Sequence, residues 1–189
     1  MNKVVTILGR LIDGLGNFCS VLMLLMVANV FIDVIMRYFF NDVSIAMQEL
    51  EWHLFGAMFM FGLAYTLKED AHVRVDIVYD RMSAAKKAWV NILGSLFLAL
   101  PITLFILYFS IDYTFDAFEM GEGSPDPGGL PYRWVVRSVI PLSCIFLTLS
   151  IVYVILSNIQ TLRFGTNENS SKESSANENH AKENSKELS

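Results

Sequence analysis

Three polar residues interrupt the first apolar run of the chain at regular intervals: Asn29, Asp33 and Arg37. A spacing of four puts them on one helix face, and Asp33 and Arg37 can pair at i,i+4. A second group, Glu49, Glu51, Trp52 and His53, opens the next apolar run. Glu49 and His53 again share a face, and Arg37 is expected to meet Glu49 across a helical hairpin. A third group, His72, Arg74 and Asp76, lies in the polar stretch KEDAHVRVDIVYDRMSAAKK from Lys68 to Lys87. Charges inside an apolar span are expensive and mark candidate paths for an ion or proton. The same groups also serve as snorkelling, locally paired anchors or as glue between helices. Too few such acids are present for a self-sufficient pump, which favours the packing role.

Other chemistries find little footing. A haem-binding bundle takes pairs of embedded histidines; only His53 is so placed, because His72 falls in a connector and His180 in the tail. Gly14 and Gly16 follow no strand and lack the remaining glycines of a nucleotide loop. Cys19 and Cys144 sit in apolar runs and are expected to be small buried hydrophobes, not a disulfide. No Ser/His/Asp or Cys/His set can be placed. The chain is therefore expected to be no enzyme, with no catalytic residue, metal ligand or cofactor site of its own. A net charge of −5 without a basic block excludes a nucleic-acid footprint.

These residues need a membrane to position them. Of the 189 residues, 53% are hydrophobic and 17% charged, and mean hydropathy is +0.44. Four runs reach the roughly 20 apolar residues a transmembrane helix requires, over about 15–38, 50–67, 89–108 and 134–155. In lipid, every backbone N–H and C=O must be paired internally, so the runs are read as helices. The alternating ten-residue strands of a barrel are absent. The expected fold is all-α and integral to the membrane. It has four transmembrane helices, a short amphipathic cytoplasmic connector and a disordered C-terminal tail. Residues 1–163 form the membrane domain and 164–189 the tail, which is rich in Asn, Glu, Ser and Lys and too polar to fold alone. The first run exceeds a signal-peptide core of about 7–15 residues and no A-x-A site follows, so it is expected to stay as an anchor.

Smaller features complete the plan. Pro101 and Pro141 should kink the third and fourth helices. Asn91, Ser95 and Ala99 form a small-residue stripe. Ser83 could cap the third helix, and Pro131 suits the first turn of the fourth. Trp52, Trp89, Tyr132 and Trp134 belong to aromatic belts. Eleven Lys and Arg residues fall on the side of the N-terminal arm, the second connection and the tail; three, Arg37, Arg133 and Arg137, fall on the other. Both termini should therefore be cytoplasmic.

Arg37-Tyr-Phe-Phe-Asn41, Gln48-Glu-Leu-Glu-Trp-His-Leu-Phe55, Gly62 and His72-Val-Arg-Val-Asp76 carry a further signal. Together they resemble the small membrane subunit of TRAP transporters, the tripartite ATP-independent periplasmic transporters. Ala46 stands where many members have a Trp, and Gln48 where many have a Glu. QELEWHLF and Ser124–Arg133 look like the mannitol, chloroaromatic or keto-acid branch. The resemblance covers roughly residues 10–160. It implies a small scaffold subunit of a sodium-coupled, binding-protein-dependent importer of an organic acid in the bacterial inner membrane. The partners would be a large permease subunit, which holds the sodium and substrate sites, a periplasmic solute-binding protein and membrane lipids. Asn29, Asp33, Arg37, Glu49, Glu51 and Trp52 would then stabilise the outer part of the subunit or its contact with the partner. His72, Arg74 and Asp76 would fix the connector. A self-sufficient channel or exporter and a four-helix redox protein are the rival readings.

Overall fold

Apolar runs this long leave the backbone no solvent partner in lipid, and intrahelical pairing is the local solution. The computed structural model describes residues 2–69 and 82–187, with only the backbone at 2, 84 and 164–187. Its elements are α1 (Asn2–Phe39), α2 (Ile45–Lys68), α3 (Ala84–Gly94), a π-helical turn (Ser95–Ala99), α4 (Leu100–Glu119) and α5 (Arg133–Glu187). Among the described residues there is no strand. The expected connector helix, with His72, Arg74 and Asp76, lies outside the described residues, and the expected tail begins where described side chains end.

Three rods are long and apolar enough to cross a membrane: Lys3–Phe39, Ala85–Glu119 and Arg133–Arg163. The second is α3, the π turn and α4 in continuous line. The helix α2 meets the length alone. Its 24 residues reach about 36 Å at 1.5 Å per residue, but Gln48, Glu49, Glu51 and His53 lower the hydropathy of its first half.

The buried face of α1 is a stripe. Ile12, Leu15, Leu22, Asn29 and Asp33 are buried, with Cys19 and Met26 half-buried between them. Steps of three and four residues give the near-parallel packing of ridges into grooves. Leu15 and Leu22 meet Phe61 and Ala64 of α2, and Phe146 and Leu147 of α5 close the cluster. The Phe61 ring stands edge-on to Phe18 and Phe146, at 5.6 and 6.0 Å between centroids. At Gly16 the helices are so close that a Cβ would lie 2.7 Å from the Tyr65 ring. The helix α5 is central: it packs on α1, α2, α3 and α4, whereas α2 and the α3–α4 rod scarcely meet.

The packing is inverted relative to a protein in water. Along the α3–α4 rod and α5 the buried positions among the described residues are mostly small or hydroxylated, namely Ala88, Ser95, Thr103, Ser110, Ala117, Ser143, Cys144 and Ser150, with Ile92 and Ile151 the large exceptions. Phe97 and Tyr108 are left 72% and 67% exposed. Small and hydroxylated residues let helices approach in lipid, while large apolar side chains face the acyl chains. Ser110, Ser143 and Thr148 each donate to a carbonyl three or four residues back, so their hydroxyls bring no unmet demand inside.

Three local expectations change. Pro101 is not a simple kink. Without an N–H it cannot close a bond to the preceding turn, and that turn widens into the π segment, with the Leu100 N–H reaching Ser95 O. Pro131 precedes the last helix instead of opening it, because Tyr132 is left-handed at φ 62° and α5 starts at Arg133. Ser83 holds the cap position of α3, but its side chain makes no capping bond.

Candidate functional site

Asn41 explains the turn from α1 to α2. Its φ of 52° is a left-handed conformation that Asn tolerates better than most residues. The Phe40 and Asp42 N–H groups both turn back to Met36 O, at 3.1 and 3.2 Å. Ser44 then caps α2 by accepting from the Met47 N–H. Across this turn, Asn29 donates 2.9 Å to Met47 O, a carbonyl on the neighbouring helix. One turn further along α1, the Arg37 Nη2 lies 2.7 Å from Asp33 Oδ2. The other oxygen of Asp33, Oδ1, is buried without a hydrogen-bond partner.

Glu49 does not join Arg37, which corrects the expected hairpin contact. Its carboxylate turns to the loop between α4 and α5. Ser124 Oγ donates to Oε1, and the Leu130 N–H donates to Oε2 at 2.6 Å. The loop is shaped to deliver both groups. Ser124 N–H bonds Leu130 O at 3.0 Å, Gly129 N–H bonds Asp126 O at 3.0 Å, and Arg133 N–H bonds Glu122 O at 2.9 Å. Gly128 turns at φ 82°. Gly129 passes so close that a Cβ there would meet Ser124 and sit 2.8 Å from Glu49 Oε2.

A second ion pair anchors the base of the loop. Arg137 reaches both Glu122 oxygens, at 2.8 and 2.7 Å, and Arg133 adds a looser contact at 3.7 Å. The Arg137 guanidinium also lies 4.0 Å from the Tyr113 ring centroid and donates to Tyr113 O at 3.3 Å. One residue thus ties α4, the loop and α5 together. At the opposite end of the helices, Lys68 of α2 pairs with Asp13 of α1 and with Glu69 at 3.3 Å. Asn91 of α3 donates to Asn158 of α5 at 3.3 Å. Both ends of the bundle are clasped, and between them the Thr103, Ser110 and Ser143 hydroxyls bond only to their own helical rod.

Among the described residues, no three His, Cys, Asp or Glu side chains group as metal ligands. The geometry holds helices and a loop in place. The family description "Tripartite ATP-independent periplasmic transporters, DctQ component" matches residues 26–161. That interval contains both clasps except Asp13. The chain belongs to this family. It is also similar to the ectoine TRAP transporter small permease protein TeaB of Halomonas elongata. The two are 24% identical over 139 residues, which cover 72% of this chain and 69% of the relative. A DctQ component is part of a transporter and not an enzyme, and its apolar rods make this chain a multi-pass protein of the inner membrane.

Within the DctQ framework the sequence candidates separate. Asn29, Asp33, Arg37 and Glu49 all sit at the hairpin end, in two adjacent networks. Glu51 is half-buried, with no hydrogen bond or ion pair among the described residues, and Trp52 points outward, 73% exposed. Ser124, Gly129, Glu122, Arg137 and Tyr113 complete the clasp and were not singled out as candidates. The density of turn residues in SPDPGGLP marks the loop in the sequence; nothing local marks its target.

Proposed function

We propose that this chain is the scaffold subunit of a sodium-coupled, binding-protein-dependent importer of an organic acid. It crosses the membrane four times, keeps both termini in the cytoplasm and supports a large permease that carries the substrate and sodium sites. Family membership implies that permease and a periplasmic solute-binding protein as partners. The observation that carries the reading is where the polar groups go. Asn29, Arg37, Glu49, Lys68 and Arg137 are engaged within the chain, at one end of the bundle or the other. Among the described residues no charged side chain is buried between the two ends, and the Thr103, Ser110 and Ser143 hydroxyls there bond back to their own helical rod, which favours a brace over a conduit. The ties of α2 at its two ends, Glu49 to the Leu130 N–H and Lys68 to Asp13, support α2 as the fourth crossing.

The test is reconstitution. The chain alone in liposomes should move no substrate. Uptake should appear only with the large permease and the binding protein, and should require a sodium gradient. Transport by the chain alone would overturn the scaffold role. The connector belongs to the same proposal: His72, Arg74 and Asp76 hold it at the cytoplasmic face, so Asp76→Ala should lower the amount of large permease that copurifies. Unchanged copurification and uptake would remove that role.

A further inference from the structure

The gap between α2 and the α3–α4 rod is a groove with a volume of about 440 Å³. Leu63 and Leu67 form one wall, Leu98 and Ile102 the other, and Leu147 and Ile151 of α5 the floor. The small-residue stripe expected to bring helices together, Asn91, Ser95 and Ala99, packs toward α5 at Asn91, which bonds Asn158, and also lines this groove. Ser95 and Ala99 face it from the π turn, and Gly94 contributes no side chain. A Cβ built on Gly94 meets nothing within 4 Å. The groove is not closed by protein: Leu98 and Ile102 stay 67% and 52% exposed.

We propose that this groove holds one acyl chain of an anionic phospholipid from the cytoplasmic leaflet, an inference that rests on the membrane topology proposed above. Size and length fit. The volume has room for about fifteen groups of water size at ~30 Å³ each, the scale of one fatty acyl chain. From Val90 to Thr103 the groove follows the rod for about 20 Å at 1.5 Å per residue. One leaflet of hydrocarbon is about 15 Å deep, half of a ~30 Å core. Charge supplies the sign of the headgroup. Lys86 and Lys87 lie four residues before Val90 and Asn91, on the same helix face, and stand at the cytoplasmic mouth. Asn91, at that mouth, lies level with the ester region of such a lipid. The π turn belongs to the site: it ends immediately before Leu100-Pro101, and its Ser95, Leu98 and Ala99 line the groove.

The probe is the complex copurified from native membranes, with bound phospholipid counted by native mass spectrometry. Exchange into nanodiscs of phosphatidylglycerol and phosphatidylethanolamine gives the preference. Wild-type chain should retain one phosphatidylglycerol per small subunit after delipidating washes. Gly94→Leu fills the groove and should release it. Lys86→Gln with Lys87→Gln should keep the acyl chain but lower the preference for the anionic lipid, by about fivefold per lysine. Retention of the lipid in Gly94→Leu overturns the proposal, as does equal retention of both lipids by the wild type. A Gly94→Cys variant that cross-links to the large permease also overturns it, because a partner helix would then occupy the groove. If Gly94→Leu fails to accumulate, the lysine substitutions, at exposed Lys86 and half-buried Lys87, still decide. The count is made on the small subunit, so failure to recover a large permease bears on the scaffold role and not on this site.

Discussion

Glu49 shows most clearly what one side chain does here. It joins two segments that are 75 and 81 residues away in sequence, through Ser124 and the Leu130 N–H. Hydrogen bonds to an ionised carboxylate are roughly twice as strong as neutral ones. Glu49→Gln keeps the shape but removes the charge, and should lower stability by about 1 kcal/mol. Gly129→Ala should do more, about 1–3 kcal/mol, because its Cβ has no room unless the clasp opens. Thermal melting of the detergent-solubilised chain checks both, and Glu49→Gln should mask most of the Gly129→Ala effect, since both act on one contact. Arg37→Ala leaves Asp33 buried with neither oxygen bonded, and a decrease of about 1–3 kcal/mol is expected. An undiminished protein level with selectively lost sodium dependence would instead place Asp33 on an ion path. The Asp33–Arg37 pair was legible in the sequence because i,i+4 geometry is local. The partner of Glu49 was not, because only the folded loop brings Ser124 to it.

The elements were legible to the extent that hydropathy determines them. The apolar runs fall within the three rods long enough to cross a membrane and within α2, but each element continues past its run, because a helix does not end where lipid does. The second run, 50–67, sits inside a helix that begins at Ile45, where Ser44 provides the cap. Proline at 101 was readable; the π turn before it was not, because composition does not say whether the preceding turn bends or widens. Substitution separates the two contributions. Pro101→Ala restores the missing N–H and lets the turn tighten to α-helical register. Removing an interior helix proline relieves at most about 3 kcal/mol, so a modest rise in melting temperature is expected. The same change should narrow the groove beside Gly94 and weaken lipid retention. A variant that melts lower than wild type would show that the π turn is held by packing on α5 and not by the proline.

At the scale of the whole molecule, the open question is the number of crossings, and it turns on α2. Hydropathy alone nominates three rods, because Glu49, Glu51 and His53 lower the score of α2. The contacts argue for a fourth. One end of α2 is held by the loop that follows α4, through Glu49, and the other by Asp13 near the start of α1, through Lys68. A helix tied at both ends of the bundle, alongside an antiparallel neighbour long and apolar enough to cross, is expected to cover the same depth. The parity of the crossings decides where the termini lie. Four crossings put residues 3 and 167 on the same side; three put them on opposite sides. Replacing Cys19 and Cys144 by alanine gives a background for single cysteines at Lys3, Gly123 and Asn167. An impermeant maleimide added to intact spheroplasts should label Gly123→Cys, in the exposed loop between α4 and α5. Lys3→Cys and Asn167→Cys should react only after lysis. If one of that pair labels from outside and the other does not, α2 does not cross. If both label from outside while Gly123→Cys is protected, the four crossings stand but the distribution of Lys and Arg has been overruled.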